Sequence, residues 1–104
     1  MTTFDDREHA FEAKFVHDAD LVFKAEARRN RLLGEWAAGL LGKSGDEARS
    51  YALSVVTSDY AEPGEEDVFR KISADLSGQI DDAAIRAKMA ELRQTARDQI
   101  MTEI

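Results

Sequence analysis

Four stretches of this 104-residue chain hold side chains in patterns that enzymes use. Gly42-Lys43-Ser44 matches the end of a phosphate-cradling Gly-x-x-x-x-Gly-Lys-Ser loop, but the motif's first glycine falls on Ala37, and a helix rather than a strand precedes it. The pattern reads as a helix terminus, with Gly42 stopping one helix and Ser44 capping the next. His9 and His17 stand eight residues apart, about 80° around a helix, whereas two imidazoles sharing a metal need a spacing of four. They read as partly exposed histidines; the functional option is that protonation near neutral pH modulates what their segment docks against. Glu65-Glu66-Asp67 and Asp81-Asp82 offer carboxylates for acid–base work, yet both groups sit where helix N-termini favour acids. With no cysteine in the chain, thiolate metal sites, disulfide scaffolds and cysteine nucleophiles are excluded.

Arg28-Arg29-Asn30-Arg31 is the one basic cluster. Glu26 and Glu35 flank it, and Glu35 lies four residues after Arg31, a spacing that lets the two pair along one helix face. The whole chain carries 14 Lys and Arg against 21 Asp and Glu, a net charge of −7, which opposes phosphate-driven binding to nucleic acid. The strongest acidity lies in residues 44–82, with ten acids against Arg49, Arg70 and Lys71. No window approaches the roughly 20 apolar residues of a membrane span. The opening Met-Thr-Thr-Phe-Asp-Asp-Arg-Glu carries acid where a signal peptide needs a basic and then apolar run, so a cytoplasmic protein without direct membrane insertion is expected.

The elements that must position these residues are helices. Ala, Glu, Lys, Leu and Arg supply 48 of the 104 residues, and the breaks are few: Gly42-Lys43-Ser44-Gly45, Ala61-Glu62-Pro63-Gly64 and Ser77-Gly78-Gln79-Ile80-Asp81. Four helical segments follow. The last presents Ile85, Met89, Leu92, Ala96 and Ile100 on one stripe, with Asp81 or Asp82 as its cap. The third, about residues 65–77, aligns Val68, Phe69, Ile72 and Leu76 behind an acidic first turn. Ser44-Gly45-Asp46-Glu47 matches a capping box at the start of the second, which turns Ala48, Ala52, Val55 and Val56 inward. The first contributes Val22, Leu32, Leu33, Trp36, Leu40 and Leu41. Short connections make neighbours antiparallel, so the fold class is all-α: a small antiparallel four-helix bundle. At this size the chain can bury one modest core, and residues 19–104 form that single domain.

Residues 1–18 do not fit the bundle comfortably. Phe4, Phe11, Phe15 and Val22 recur at seven, four and seven residues, a helical stripe upstream of the core contacts. One helix from Thr3 to Leu41 would run about 60 Å, longer than partners of thirteen to twenty residues can cover. Ordering some fifteen isolated residues costs roughly 1–2 kcal/mol each, whereas burying each phenylalanine returns about 2 kcal/mol. A mobile arm that extends the first helix and gains its order in a groove on another protein is therefore expected. The alternative is that Phe4, Phe11 and Phe15 pack back on this chain's own bundle.

The string Thr3-Phe4-Asp5-Asp6-Arg7-Glu8, with Ala10-Phe11-Glu12, Lys14-Phe15, Lys24-Ala25-Glu26-Ala27-Arg28-Arg29-Asn30-Arg31-Leu32-Leu33-Gly34 and Trp36-Ala37-Ala38, resembles the zeta subunit of the alphaproteobacterial F-type ATP synthase. The similarity continues through Ala52, Val55-Val56, Pro63-Gly64, Asp67-Val68 and Arg86-x-Lys88-Met89-x-Glu91-Leu92, and is most specific over residues 3–41. The resemblance implies an endogenous inhibitor of ATP hydrolysis, not an enzyme, peripheral to the inner membrane through the synthase. Its N-terminal segment would enter the catalytic head at an alpha/beta interface beside the gamma subunit and block hydrolysis while permitting synthesis. Carried over position by position, the partner-binding residues are Phe4, Asp5, Asp6, Arg7, Glu8, Phe11, Lys14 and Phe15. The aromatics would be buried anchors, and Arg7, Glu8 and Lys14 would set register. No cofactor is implied; weak binding of adenine nucleotide to the folded part stays open, with no phosphate motif to support it. A helical adaptor or nucleotide-sensing module with a different protein partner is the alternative, and a small enzyme fits least.

Overall fold

A computed structural model describes residues 19–58 and 65–103. They form four helices, α1 (Ala19–Leu40), α2 (Gly45–Ser58), α3 (Glu66–Asp75) and α4 (Asp82–Glu103). The chain is an all-α four-helix bundle in which α1 packs chiefly on α2 and α4, and the short α3 packs mainly on α2 and α4.

The local signals for starting and stopping helices act as the sequence predicts at three points. Gly42 adopts φ 77°, its amide donates to the Gly39 carbonyl at 3.2 Å, and the Lys43 amide donates to Ala38 at 2.9 Å, the paired bonds of a Schellman terminus. Gly42-Lys43-Ser44 is thus a helix end. The Asp81 carboxylate accepts from the Ala84 amide at 2.8 Å and caps α4. Glu66 and Asp67 occupy the first turn of α3, where the helix dipole favours them. The capping box at α2 departs from expectation: the Ala48 amide donates to the Ser44 carbonyl at 3.4 Å, and neither the Ser44 nor the Glu47 side chain makes the reciprocal bonds among the described residues.

Neighbouring helices run antiparallel. Leu21 and Ala25, early in α1, pack with Ile100, late in α4, while Leu33 and Ala37 share a core with Ile85 and Met89. Ser73 donates to Asp82 at 2.7 Å while Arg86 reaches back to Glu66, which sets α3 against α4 in the same sense. The main core joins Leu33, Ala37, Val55, Val68, Ile72, Leu76, Ile85 and Met89, with Trp36, Leu41, Phe69 and Leu92 packed partly buried around it.

The predicted stripe of α1 requires correction. Of its six residues only Leu33 is fully buried; Val22, Leu32, Trp36 and Leu41 are partly buried, and Leu40 is exposed. The buried face is instead Leu21, Ala25, Arg29, Asn30, Leu33, Gly34, Ala37 and Ala38. Small residues carry it because α1 and α2 approach closely: a Cβ added at Gly34 would lie 2.6 Å from the Ala52 Cα. Bringing the backbones together at that point turns the larger side chains to the rim of the contact. On α2, Ala52 and Val55 are buried as predicted, whereas Ala48 and Val56 are only partly so.

A polar link ties α2 to α3. The Tyr51 hydroxyl donates to Asp75 at 2.7 Å, and Lys71 donates to the same carboxylate at 3.1 Å. Burial, the hydrogen bond to Asp75 and its negative charge all raise the Tyr51 phenol above its ordinary 10.0. Burial alone would raise Asp75, but the bonds from Tyr51 and Lys71 outweigh it and hold this carboxyl below its ordinary 3.8. A carboxylate depressed on folding adds stability above its unfolded value and loses it as the pH falls through the lower folded value. Asp75→Asn is therefore expected to lower stability by about 1 kcal/mol at pH 7, discounted for solvent screening, with the gap to the parent closing in acid below the carboxylate range. Denaturant titrations of both proteins at neutral and acid pH measure this directly.

Candidate functional site

The partner-binding residues Phe4, Asp5, Asp6, Arg7, Glu8, Phe11, Lys14 and Phe15, together with His9 and His17, lie outside the described residues. The structure instead defines the base to which that segment is joined, the N-terminal half of α1. Two kinds of contact hold this base. Leu21 and Ala25 pack against Ile100 and Met101 in a small apolar cluster separate from the main core. Beside it, charged side chains of α1 are bound across the bundle.

Arg29 is buried at 5% exposure, an unusual place for a guanidinium. Its Nε and one terminal nitrogen donate to the Asn30 side-chain oxygen at 3.0 and 2.9 Å, and the other donates to Glu65 at 3.1 Å. Glu65 also accepts from Arg93 at 2.7 and 2.6 Å, so one carboxylate joins α1, the start of α3 and α4. The buried charge is thereby neutralised and hydrogen-bonded, as burial demands. Arg28 donates to Gln99 at 2.7 Å and to both oxygens of Glu103 at 2.8 and 3.0 Å, pinning the last turn of α4 to α1. Arg31 lies 3.6 Å from Glu35, the pairing their spacing predicts. The basic cluster is therefore spent largely on internal links rather than presented as a phosphate-binding face.

The acidic groups find cations in the same way. Arg86 makes a two-pronged contact to Glu66 at 2.9 and 3.1 Å, which lowers the Glu66 carboxyl and raises the guanidinium. The Arg86 guanidinium also stacks 3.8 Å from the Phe69 ring centroid. Asp67 pairs with Arg70 within its own helix. Glu65-Glu66-Asp67 is thus three separately paired carboxylates at a helix start, not an acid–base pair. No group of three His, Cys, Asp or Glu able to hold a metal occurs among the described residues. No helix among them is long and apolar enough to cross a membrane. Val22, the last member of the stripe that begins at Phe4, lines an open cleft of about 420 Å³ together with Arg29, Glu65, Arg93 and Arg97.

Sequence reading missed Glu65 as the link between Arg29 and Arg93, because those partners lie 36 and 28 residues away and no local spacing relates them. The one available signal was an arginine–asparagine pair, Arg29-Asn30, on the helix face that also carries Leu33 and Ala37.

Comparison with known proteins agrees with this architecture and with the motifs of the N-terminal half. No curated protein matches the chain significantly. A solved protein, described as a solution NMR structure, is 54% identical, with a TM-score of 0.73 over 79% of this chain and 96% of its own. The family model for ATPase inhibitor subunit zeta matches residues 1–99, which takes in the N-terminal segment and nearly the whole bundle. The chain belongs to the ATPase inhibitor subunit zeta family, whose role is regulatory rather than catalytic and whose partner is an ATP synthase.

Proposed function

We propose that the chain blocks ATP hydrolysis by an F-type ATP synthase through residues 1–18, and that the four-helix body, residues 19–104, serves as the handle that holds this arm in place. The observation that carries the reading is the extent of the family match, which begins at residue 1 and so includes the aromatic segment as well as the bundle. Residues 3–18 mix Phe4, Phe11 and Phe15 with Asp5, Asp6, Arg7, Glu8, Glu12, Lys14 and Asp18, a composition suited to an interface with an apolar centre and a charged rim.

In this proposal the arm enters the catalytic head at an alpha/beta interface beside gamma. Phe4, Phe11 and Phe15 fill apolar pockets there, while Arg7, Glu8 and Lys14 fix the register by charge pairing. Rotation in the hydrolysis direction closes the interface on the arm, and rotation in the synthesis direction releases it. The protein sits at the inner membrane only through the synthase.

The anchors are tested singly. Phe11→Ala and Phe15→Ala are each expected to raise the concentration needed for half-inhibition of ATP hydrolysis about thirtyfold, the equivalent of losing about 2 kcal/mol per anchor. Thermal unfolding of both variants should match the parent. Inhibition curves that overlay the parent's would remove the phenylalanines from the interface.

A further inference from the structure

Apolar packing between α1 and α4 is interrupted partway along the bundle. The main core takes side chains from all four helices and reaches Leu33 on α1 and Met89 on α4. The second cluster, Leu21, Ala25 and Ile100 with Met101 against it, draws on α1 and α4 alone among the described residues. Between the two clusters lies a polar layer of Arg29 and Asn30 from α1, Arg93 from α4 and Glu65, which accepts from both arginines. The one buried residue of α4 between Met89 and Ile100 is Ala96, which adds a single methyl group. The layer also carries an unmet group. Asn30 is 1% exposed and its side-chain oxygen accepts from Arg29, but its amide nitrogen has no hydrogen-bond partner. A buried donor left unpaired favours any arrangement that returns it to water.

We propose that residues 19–28 of α1 and 97–103 of α4 form a separate cooperative unit, which opens as one while the core beyond the Arg29–Glu65–Arg93 layer stays closed. The unit buries three apolar residues against eight in the main core, so its opening exposes far less apolar surface than global unfolding does. Its remaining clamp lies at the surface. Arg28 donates to Gln99 and to Glu103, and the Glu103 side chain is 50% exposed, a setting in which an ion pair contributes little. Neither half has another described apolar partner in the cluster, so parting α1 from α4 removes the packing of both at once. The polar layer marks the boundary because Arg29 and Arg93 meet on Glu65 rather than through side chains of either cluster.

The proposed inhibitory segment joins the body at Ala19, inside this unit, so opening frees its attachment point from α4 without unfolding the core. That consequence rests on the inhibitor reading; the opening does not, and it is tested without the synthase. Native-state hydrogen exchange of the full-length protein across a denaturant series reads it directly. The amides of Ala25, Ala27, Gln99 and Ile100 are expected to merge onto one opening isotherm. That isotherm should lie lower in free energy, and be shallower in denaturant, than the one shared by Leu33 and Met89, although those two residues lie on the same helices. Arg28→Gln should speed exchange at all four amides about threefold, and Ile100→Ala at least about tenfold. Ile72→Val, in the main core, should speed exchange at Leu33 and Met89 about fivefold and leave the four unchanged. Separate isotherms for the two helix ends would overturn the proposal in favour of independent fraying. Acceleration of the four amides by Ile72→Val in step with Leu33 would overturn it in favour of one undivided core.

Discussion

Deletion of residues 2–18 is expected to abolish suppression of ATP hydrolysis, moving half-inhibition by about a thousandfold or more, because two of the three phenylalanine anchors alone represent about 4 kcal/mol of interface energy. The body should survive the deletion. Its main core is built from Leu33, Val55, Val68, Ile72, Ile85 and Met89, within the four helices, and from Leu76, which closes α3. The base of α1 keeps its own supports in the Leu21, Ala25 and Ile100 cluster and in the Arg29–Glu65–Arg93 link. Helical circular dichroism should therefore fall only by the contribution of the deleted residues, with a cooperative melt retained. Full inhibition by the truncated chain would transfer the inhibitory surface to the body, and loss of the cooperative melt would show that the arm is part of the core.

The largest stability effect is expected at Gly34. A Cβ at this position would lie 2.6 Å from the Ala52 Cα and 3.3 Å from its carbonyl oxygen, and backbone cannot move aside as a flexible side chain can. Gly34→Ala gains up to about 1 kcal/mol of helix propensity, but overpacking costs roughly 1–3 kcal/mol, so a net loss is predicted. Gly34→Leu, which must force α1 and α2 apart, should lose about 3 kcal/mol or more, a large share of the 5–15 kcal/mol that holds a typical domain together. Gly39 is the internal control. It lies in the same helix with nothing within 4 Å of an added Cβ, so Gly39→Ala should stabilise by about 0.5–1 kcal/mol. Chemical denaturation of the three variants decides the matter, and equal behaviour of Gly34→Ala and Gly39→Ala would contradict the close approach.

That glycine also explains where sequence reading failed. A stripe assembled from large apolar residues placed Leu40 and Val22 in the core of α1, yet the interface with α2 selects Gly34, Ala37 and Ala38, because proximity of backbones rather than side-chain volume fills the space. On α4 the same method worked: Ile85, Met89, Ala96 and Ile100 are buried, with Leu92 partly so. There the packing leaves room for large side chains, and Asp81 marks the start by a bond reaching only three residues ahead. Helix ends were legible for the same reason, since Gly42 and Asp81 act on their own backbone. The burial of Arg29 is invisible in the basic cluster Arg28-Arg29-Asn30-Arg31, because it depends on Glu65 arriving from outside α1. The proposed inhibitory residues rest on aromatic spacing and family resemblance and lie outside the described residues; the family match covers the segment that carries them.

Directionality is the core of the proposed mechanism. Inverted membrane vesicles carrying the synthase, supplied with the full-length protein, allow ATP hydrolysis and proton-driven ATP synthesis to be measured on one preparation at one inhibitor concentration. A block that closes in only one sense of rotation predicts that hydrolysis falls roughly tenfold or more, equivalent to at least about 1.4 kcal/mol, while synthesis stays near its uninhibited rate. Equal suppression of both rates, or of neither, would contradict it.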